Sequence, residues 1–360
     1  MSMKISLNTK FTEGASGGGM QFAKYLKKFL EGKNIEVVND LTNDDIDIIL
    51  HISPFTHLMS VASFSYFDAY IYKLKHPNTI IIQRINECDE RKNTDYINEL
   101  IIDASNYSDY LVYIAEWLKP LFEKKGMDKK IPSEIILNGA DYDIFNSIDK
   151  QPWNKLGRLK IVTHHWGGNY MKGHDIYNKL DSLLENSKYT NLFEFTFIGN
   201  YPKELEYKNT KIIPPLSEKE LAEELKKHHV YITASRNEPA GMHHIEGALC
   251  GLPILYINSG ALPEYCNGYG IEFTEKNLEK KLKQMHQEYD IWVEKIKAYG
   301  NTSEKMNRQF YELITDLYSK RQNYEAVVKN PILDVLVVKL RYYMYLIKIT
   351  LIKFKLFLSK

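Results

Sequence analysis

Apolar and polar positions along the chain fall into short apolar runs separated by helical repeats. Residues 4–8, KISLN, alternate and predict a strand; a glycine-rich loop, GASGGG (14–19), follows it. Phe22, Tyr25, Leu26, Phe29 and Leu30 then recur at helical spacing, and Gly32 marks the stop. Strands are predicted at 35–40, 45–53 and 79–85, the last continuous and β-branched as suits a strand buried on both faces. Ile97, Leu100, Ile101 and Ala104 mark a helix, and 110–115, 116–125 and 134–141 read as strand, helix and strand. Near residue 145 the pattern restarts. Strands are predicted at 159–166, 193–200, 211–216, 230–235 and 252–258, with helices from about Asp175 to Leu184, over 218–228 and after Gly241. A helical region fills 275–325.

Strands alternating with helices predict βαβ units and parallel sheets, so the fold class is α/β. A length of 360 residues suits two domains. The expected layout is two Rossmann-like domains facing across a cleft, 1–147 and 148–325, with a C-terminal helical extension over 326–360. Ligands of open α/β folds bind in such clefts.

Composition narrows the function. The net charge of +1 predicts no nucleic-acid partner. Three widely spaced cysteines, Cys88, Cys250 and Cys266, read as reduced thiols of a cytoplasmic protein. The N-terminal residues lack the apolar core of a signal peptide. Residues 332–360 hold one acid, Asp334, and six basic residues. No uncharged run there reaches the roughly 18 residues of a membrane span. At 100° per residue, Leu333, Leu336, Leu340, Tyr343, Met344, Ile347, Leu351, Phe354 and Leu358 share an arc of roughly 120°, with every basic residue outside it. That pattern suits a helix lying on an anionic bilayer; the alternative is packing on this protein or on a second copy.

Chemistry concentrates in EPAGMHHIEGALCGLP (238–253), which sets Glu238 and Glu246 eight positions apart. Glu238 precedes a proline and is therefore extended or in a turn, and Gly241 turns the chain into a helix. Glu246 lies about one turn inside. A helix start offers N–H groups to an anion, while carboxylates accept from hydroxyls. Together they suit a sugar nucleotide, with phosphates in the middle and polyols at both ends. In HHWGGNYMKGHD (164–175), Lys172 precedes Asp175, read as a helix cap. The glycine loop could approach a phosphate, although its spacing is neither GxGxxG nor GxxxxGK[ST].

These stretches resemble retaining glycosyltransferases of the GT-B fold, the family-4 class with a Glu-x7-Glu motif. The matching segments are SRNEPAGMHHIEGALCGLPI (235–254), NSGALPE (258–264), EIILNGADYDIF (134–145), GASGGGMQF (14–22) and MKGHDIY (171–177). The resemblance implies that Glu238 contacts the donor sugar and Glu246 the ribose. Ala240, Gly241 and Met242 would hold sugar and phosphates, with Lys172 neutralising the diphosphate. Gly17, Gly18 and Gly19 would approach it from the first domain, and Pro214 and Leu216 would lie where the base is met. The family's usual arginine before the lysine is missing, and His164, His165 and Trp166 stand there instead. Arg84, Asn86 and Glu87 occupy the region of the family's sugar-side histidine. With His165 and His243 they are candidates for sugar or acceptor contacts.

Other patterns read as structural. Asp45-Ile-Asp47 is a DxD tripeptide entering a strand, His228-His229 lacks further ligands, and His244 reads as packing; no metal or cofactor is expected. The expectation is a hexosyltransferase using a nucleoside-diphosphate sugar, with a glycan or lipid-linked acceptor at the inner membrane face, and open to self-association. An epimerase-like enzyme of the same fold and a non-catalytic glycosyltransferase subunit are the alternatives.

Overall fold

The structure, a computed structural model, describes residues 3–11, 18–56, 61–326 and 330–358. The chain divides into two compact units. One holds residues 1–89, 93–136 and 307–360; the other holds 90–92 and 137–306. The break after 136 precedes the one expected at 147. Residues 307–325, expected in the second domain, belong to the first unit, and the C-terminal helix joins it.

The first unit is built on a six-stranded parallel sheet. Its strands are β1 (Lys4–Leu7), β2 (Glu36–Val38), β3 (Ile48–His51), β4 (Ile80–Ile85), β5 (Tyr110–Tyr113) and β6 (Ser133–Ile135), in the order β2-β1-β3-β4-β5-β6. Every residue of β1, β3 and β4 is buried, as the continuous apolar runs require. Ile46, Ile49, Phe64, Ala69, Tyr72 and Ile81 form one core cluster. Part of it comes from a helix absent from the sequence reading, Tyr66–Lys75, which starts at a capping box between Ser65 and Asp68. Asp45 and Asp47 are engaged by Lys4: its Nζ lies 2.7 Å from Asp45, and its backbone N–H donates to Asp47 at 2.9 Å.

In the second unit the strands are β7 (Leu159–His165), β8 (Phe193–Gly199), β9 (Lys211–Ile213), β10 (Val230–Thr233), β11 (Ile254–Ile257) and β12 (Gly270–Phe273). All pairings are parallel and the order is β12-β11-β10-β7-β8-β9. Renumbered within the unit, this is the 3-2-1-4-5-6 order of a dinucleotide-binding sheet. β12 was not foreseen; the expected helical region comprises helices Leu278–Gln287, Tyr289–Ile296 and Ser303–Ser319. The direction of winding reverses between β7 and β10. Loops leaving the carboxyl ends of those two strands diverge and leave a crevice, the place where open α/β sheets bind ligands.

Candidate functional site

Both loops at this reversal point carry the residues singled out in the sequence. β7 ends in His164 and His165 and runs into the short turn Tyr170–Lys172, where Asn169 accepts from the Met171 N–H at 2.8 Å. Gly173 has φ of 93°, and a Cβ there would lie 2.3 Å from the Ala234 carbonyl oxygen. Only glycine allows the turn to press against the end of β10 and so fix Lys172. Asp175, read as a helix cap, instead lies inside the helix His174–Leu183, whose N-cap is Gly173. Its carboxylate pairs bidentately with Arg236, with one arm at 2.6 Å.

The loop after β10 brings Glu238 back toward that turn. Asn237 takes a left-handed conformation, φ 49°, and its backbone N–H donates to Ser259 Oγ at 2.8 Å. The Glu238 carbonyl accepts from the Ala261 N–H at 2.8 Å, so the segment 258–264 backs the glutamate. Gly241 then caps the helix Met242–Leu249 without any side-chain hydrogen bond. A Cβ at Gly241 would stand 2.9 Å from the Glu238 carboxyl carbon; the missing side chain lets the carboxylate lie against the helix start. The Ala240 carbonyl is held by Asn138 Nδ2 at 2.7 Å.

Two cations meet at this carboxylate. Lys172 Nζ and Arg91 Nη2 each lie 3.4 Å from the same oxygen, Glu238 Oε2. Burial acts to raise the Glu238 pKa, but the charges of Lys172 and Arg91 prevail and hold it down to about 2. Sequence reasoning missed Arg91. It lies in DERK after β4, in no motif, and residues 90–92 pack with the second unit. Asn237 Nδ2 donates to the Glu90 carbonyl at 3.0 Å, tying that segment to the glutamate loop.

Glu246, one turn inside the helix, is buried; its Oε2 lies 2.7 Å from His164 Nε2. Tyr231 OH lies 3.2 Å from the other ring nitrogen and fixes the imidazole. His165 is buried against Tyr177 OH at 2.8 Å; burial first, then the Lys172 charge, pushes its pKa well below the ordinary value. His243 Nε2 lies 2.9 Å from Thr233 Oγ1 and is likewise driven toward the neutral form by burial. His244 is fully buried, and its pKa falls to about 4, through burial and against the pull of Glu238.

The remaining sequence candidates are not all in this cluster. Pro214 and Leu216 follow β9, the edge strand, the first exposed and the second half-buried. Gly18 and Gly19 open the helix Gly18–Glu31 of the first unit, while Gly17 lies outside the described residues. Arg84 is buried in β4 with its guanidinium 4.0 Å over the Phe22 ring. Asn86 donates to the Ile52 carbonyl at 3.1 Å, and Glu87 accepts from the Cys88 N–H at 3.2 Å. Among the described residues no group of three or more His, Cys, Asp or Glu is placed to hold a metal ion.

Residues 169–306 match the family model described as glycosyl transferases group 1. Comparison with curated protein sequences gives no match. Among solved structures, Anabaena HepE in complex with UDP-glucose is similar over 88% of this chain and 100% of its own, at 13% identity and a TM-score of 0.66. Sucrose-phosphate synthase from Thermosynechococcus elongatus is similar over 88% and 100%, at 11% identity and 0.62. A glycosyltransferase from Rickettsia africae is similar over 89% and 99%, at 15% identity and 0.58. Residues 169–306 are thus similar to the glycosyl transferases group 1 family, within a chain that has the GT-B fold of two Rossmann-like units.

Proposed function

We propose that this chain is a retaining glycosyltransferase, moving a hexose from a nucleoside-diphosphate sugar to a hydroxyl of a glycan or lipid-linked acceptor. The observation that carries the reading is the convergence of Lys172 and Arg91 on Glu238 at an uncapped helix start. A diphosphate is the ligand whose charge suits two cations beside free helix N–H groups. The UDP-glucose complex of the Anabaena structure supports the donor class.

In this reading Lys172, Arg91 and the start of helix Met242–Leu249 hold the diphosphate. Glu238 accepts from hydroxyls of the sugar and Glu246 from the ribose. The bond from the anomeric carbon to the phosphate oxygen breaks as the bond to the acceptor oxygen forms on the same face. The acceptor proton passes to the departing phosphate oxygen, so no protein base is needed. The chain contributes positioning and stabilisation of the charge that develops on the leaving group. In this scheme Arg91 supplies a second positive charge beside Lys172, as the family's missing arginine would, while His164 serves Glu246. The first unit is assigned the acceptor. No metal enters the scheme, in which Lys172 and Arg91 supply the positive charge for the leaving group.

Thermal stabilisation by UDP-, GDP-, ADP- and dTDP-sugars tests the donor, since a ligand of the folded state raises apparent stability by mass action. One of these donors is expected to stabilise the protein. With that donor and an acceptor, the product should keep the anomeric configuration, and turnover should survive EDTA. Stabilisation by none of the four, or inversion at the anomeric carbon, would overturn the reading.

A further inference from the structure

The helix Pro331–Leu358 packs on the first unit, but not through the apolar stripe of the sequence reading. Its buried residues are Val338, Tyr345 and Ile349. Tyr345 meets Tyr66 and Phe67 with ring centroids 5.8 and 5.5 Å apart, and Tyr342 meets Phe67 at 5.4 Å. Lys348 and Lys355 add ion pairs to Glu99 and Asp95, and Arg341 donates to Tyr107 OH at 3.2 Å. The helix is thus anchored by one face, and the stripe lies on another.

That second face is bare. The large apolar residues from Ile332 to Phe354 along it are 44–75% exposed. Leu358 lies outside the described side chains. At 100° and 1.5 Å per residue the bare face spans roughly 140° and runs for about 33 Å. So long an apolar surface on a folded unit marks an interaction site. The alternative that the stripe packs on its own chain is thereby answered.

Charge decides between the remaining occupants. Arg341, Lys348 and Lys355 line one edge of the stripe, where the two lysines are paired with Glu99 and Asp95, and the exposed Lys339 and Lys353 line the other. No acidic residue follows Asp334 in the sequence. A second copy laid on this face would offer Lys339 and Lys353 no acidic residue of its own helix after Asp334, whereas opposite charges flank a stable helix pair. A 140° face is also wider than a two-helix seam. Anionic headgroups match the edge of exposed Lys339 and Lys353. Among the described residues no helix is long and apolar enough to cross a membrane, so a bilayer contact here is one of lying on the surface.

We propose that the bare face of helix Pro331–Leu358 docks this protein on an anionic bilayer, with the helix in the headgroup plane. Sedimentation of the full-length protein with large vesicles tests it, comparing phosphatidylcholine alone with mixtures containing phosphatidylglycerol at low salt. The wild type is expected to sediment with the anionic vesicles and to be released by salt. Leu340→Glu combined with Ile347→Glu alters only exposed positions and is expected to lower the bound fraction at least about tenfold. Its far-ultraviolet circular dichroism and thermal midpoint should stay those of the wild type. Lys339→Glu with Lys353→Glu is expected to abolish the preference for phosphatidylglycerol. Equal vesicle binding by the stripe variant would overturn the proposal, as would no binding by the wild type. A wild-type dimer that the same variant dissociates would identify a second copy as the occupant instead.

Discussion

His164 Nε2 lies 2.7 Å from Glu246 Oε2, and both side chains are buried. A carboxylate proposed to hold a ribose is therefore itself held, from the strand at the centre of the sheet. If His164 positions Glu246, the two act as one unit. Glu246→Gln and His164→Ala should each weaken nucleoside-diphosphate binding by roughly 10- to 100-fold, the worth of a hydrogen bond to a charged group. The double variant should be little worse than either single one. Calorimetric titration measures this; wild-type affinity in His164→Ala would remove the positioning role.

Lys172 and Arg91 face the same oxygen of Glu238. Lys172→Ala should lower turnover by roughly 10²–10³-fold, the scale for one lost electrostatic donor, and Arg91→Ala by a similar factor. Arg91→Lys keeps the charge but loses the fork and should recover part of the activity. Steady-state kinetics with saturating donor gives the comparison. Turnover within twofold of wild type in either alanine variant would take that residue out of the site.

The Glu238 pKa, held near 2 against an ordinary 4.5, makes an acid-side prediction. A carboxylate with a depressed folded-state pKa adds stability that is fully present above about 4.5 and is lost as pH falls toward 2. Glu238→Gln should be less stable than wild type at neutral pH. The difference between their melting temperatures should shrink as pH drops through that window. A constant difference from pH 6 to 3 would mean that Glu238 does not carry this linkage.

Gly173 is required by backbone contact and by a positive φ. Gly173→Ala should destabilise the second unit by about 1–3 kcal/mol. Because the turn fixes Lys172, donor binding should weaken as well. Denaturant melts with and without donor separate the two effects; a variant as stable as wild type would show that the turn can shift at little cost.

Much of this was legible. The continuous Ile80–Ile85 run announces a doubly buried strand, and the restart after residue 145 announces a second sheet. Lys172 and Glu238 stood out because glycines and a proline punctuate their loops. What escaped depends on contacts distant in sequence. Arg91 is one cation in a charged tetrapeptide until folding carries it to Glu238 across 147 positions. Arg236 and Asp175 pair across 61 positions. β12, GIEF, is too short and too broken by glycine and glutamate to show a period. The helix Tyr66–Lys75 does carry a local sign, Ser65 three residues before Asp68.

The return of residues 307–360 to the first unit has a consequence for how the chain is made. Phe22 packs against Phe310 with ring centroids 4.9 Å apart, and Asn307 donates to the Tyr25 carbonyl at 3.2 Å. On the ribosome, the face of helix Gly18–Glu31 that meets them stays uncovered until residue 310 emerges. The second unit needs only 137–306 and a three-residue piece already synthesised. The part made later can therefore close first, and nascent chains stalled before residue 307 should expose Phe22 to chaperones while the second unit is already protease-resistant.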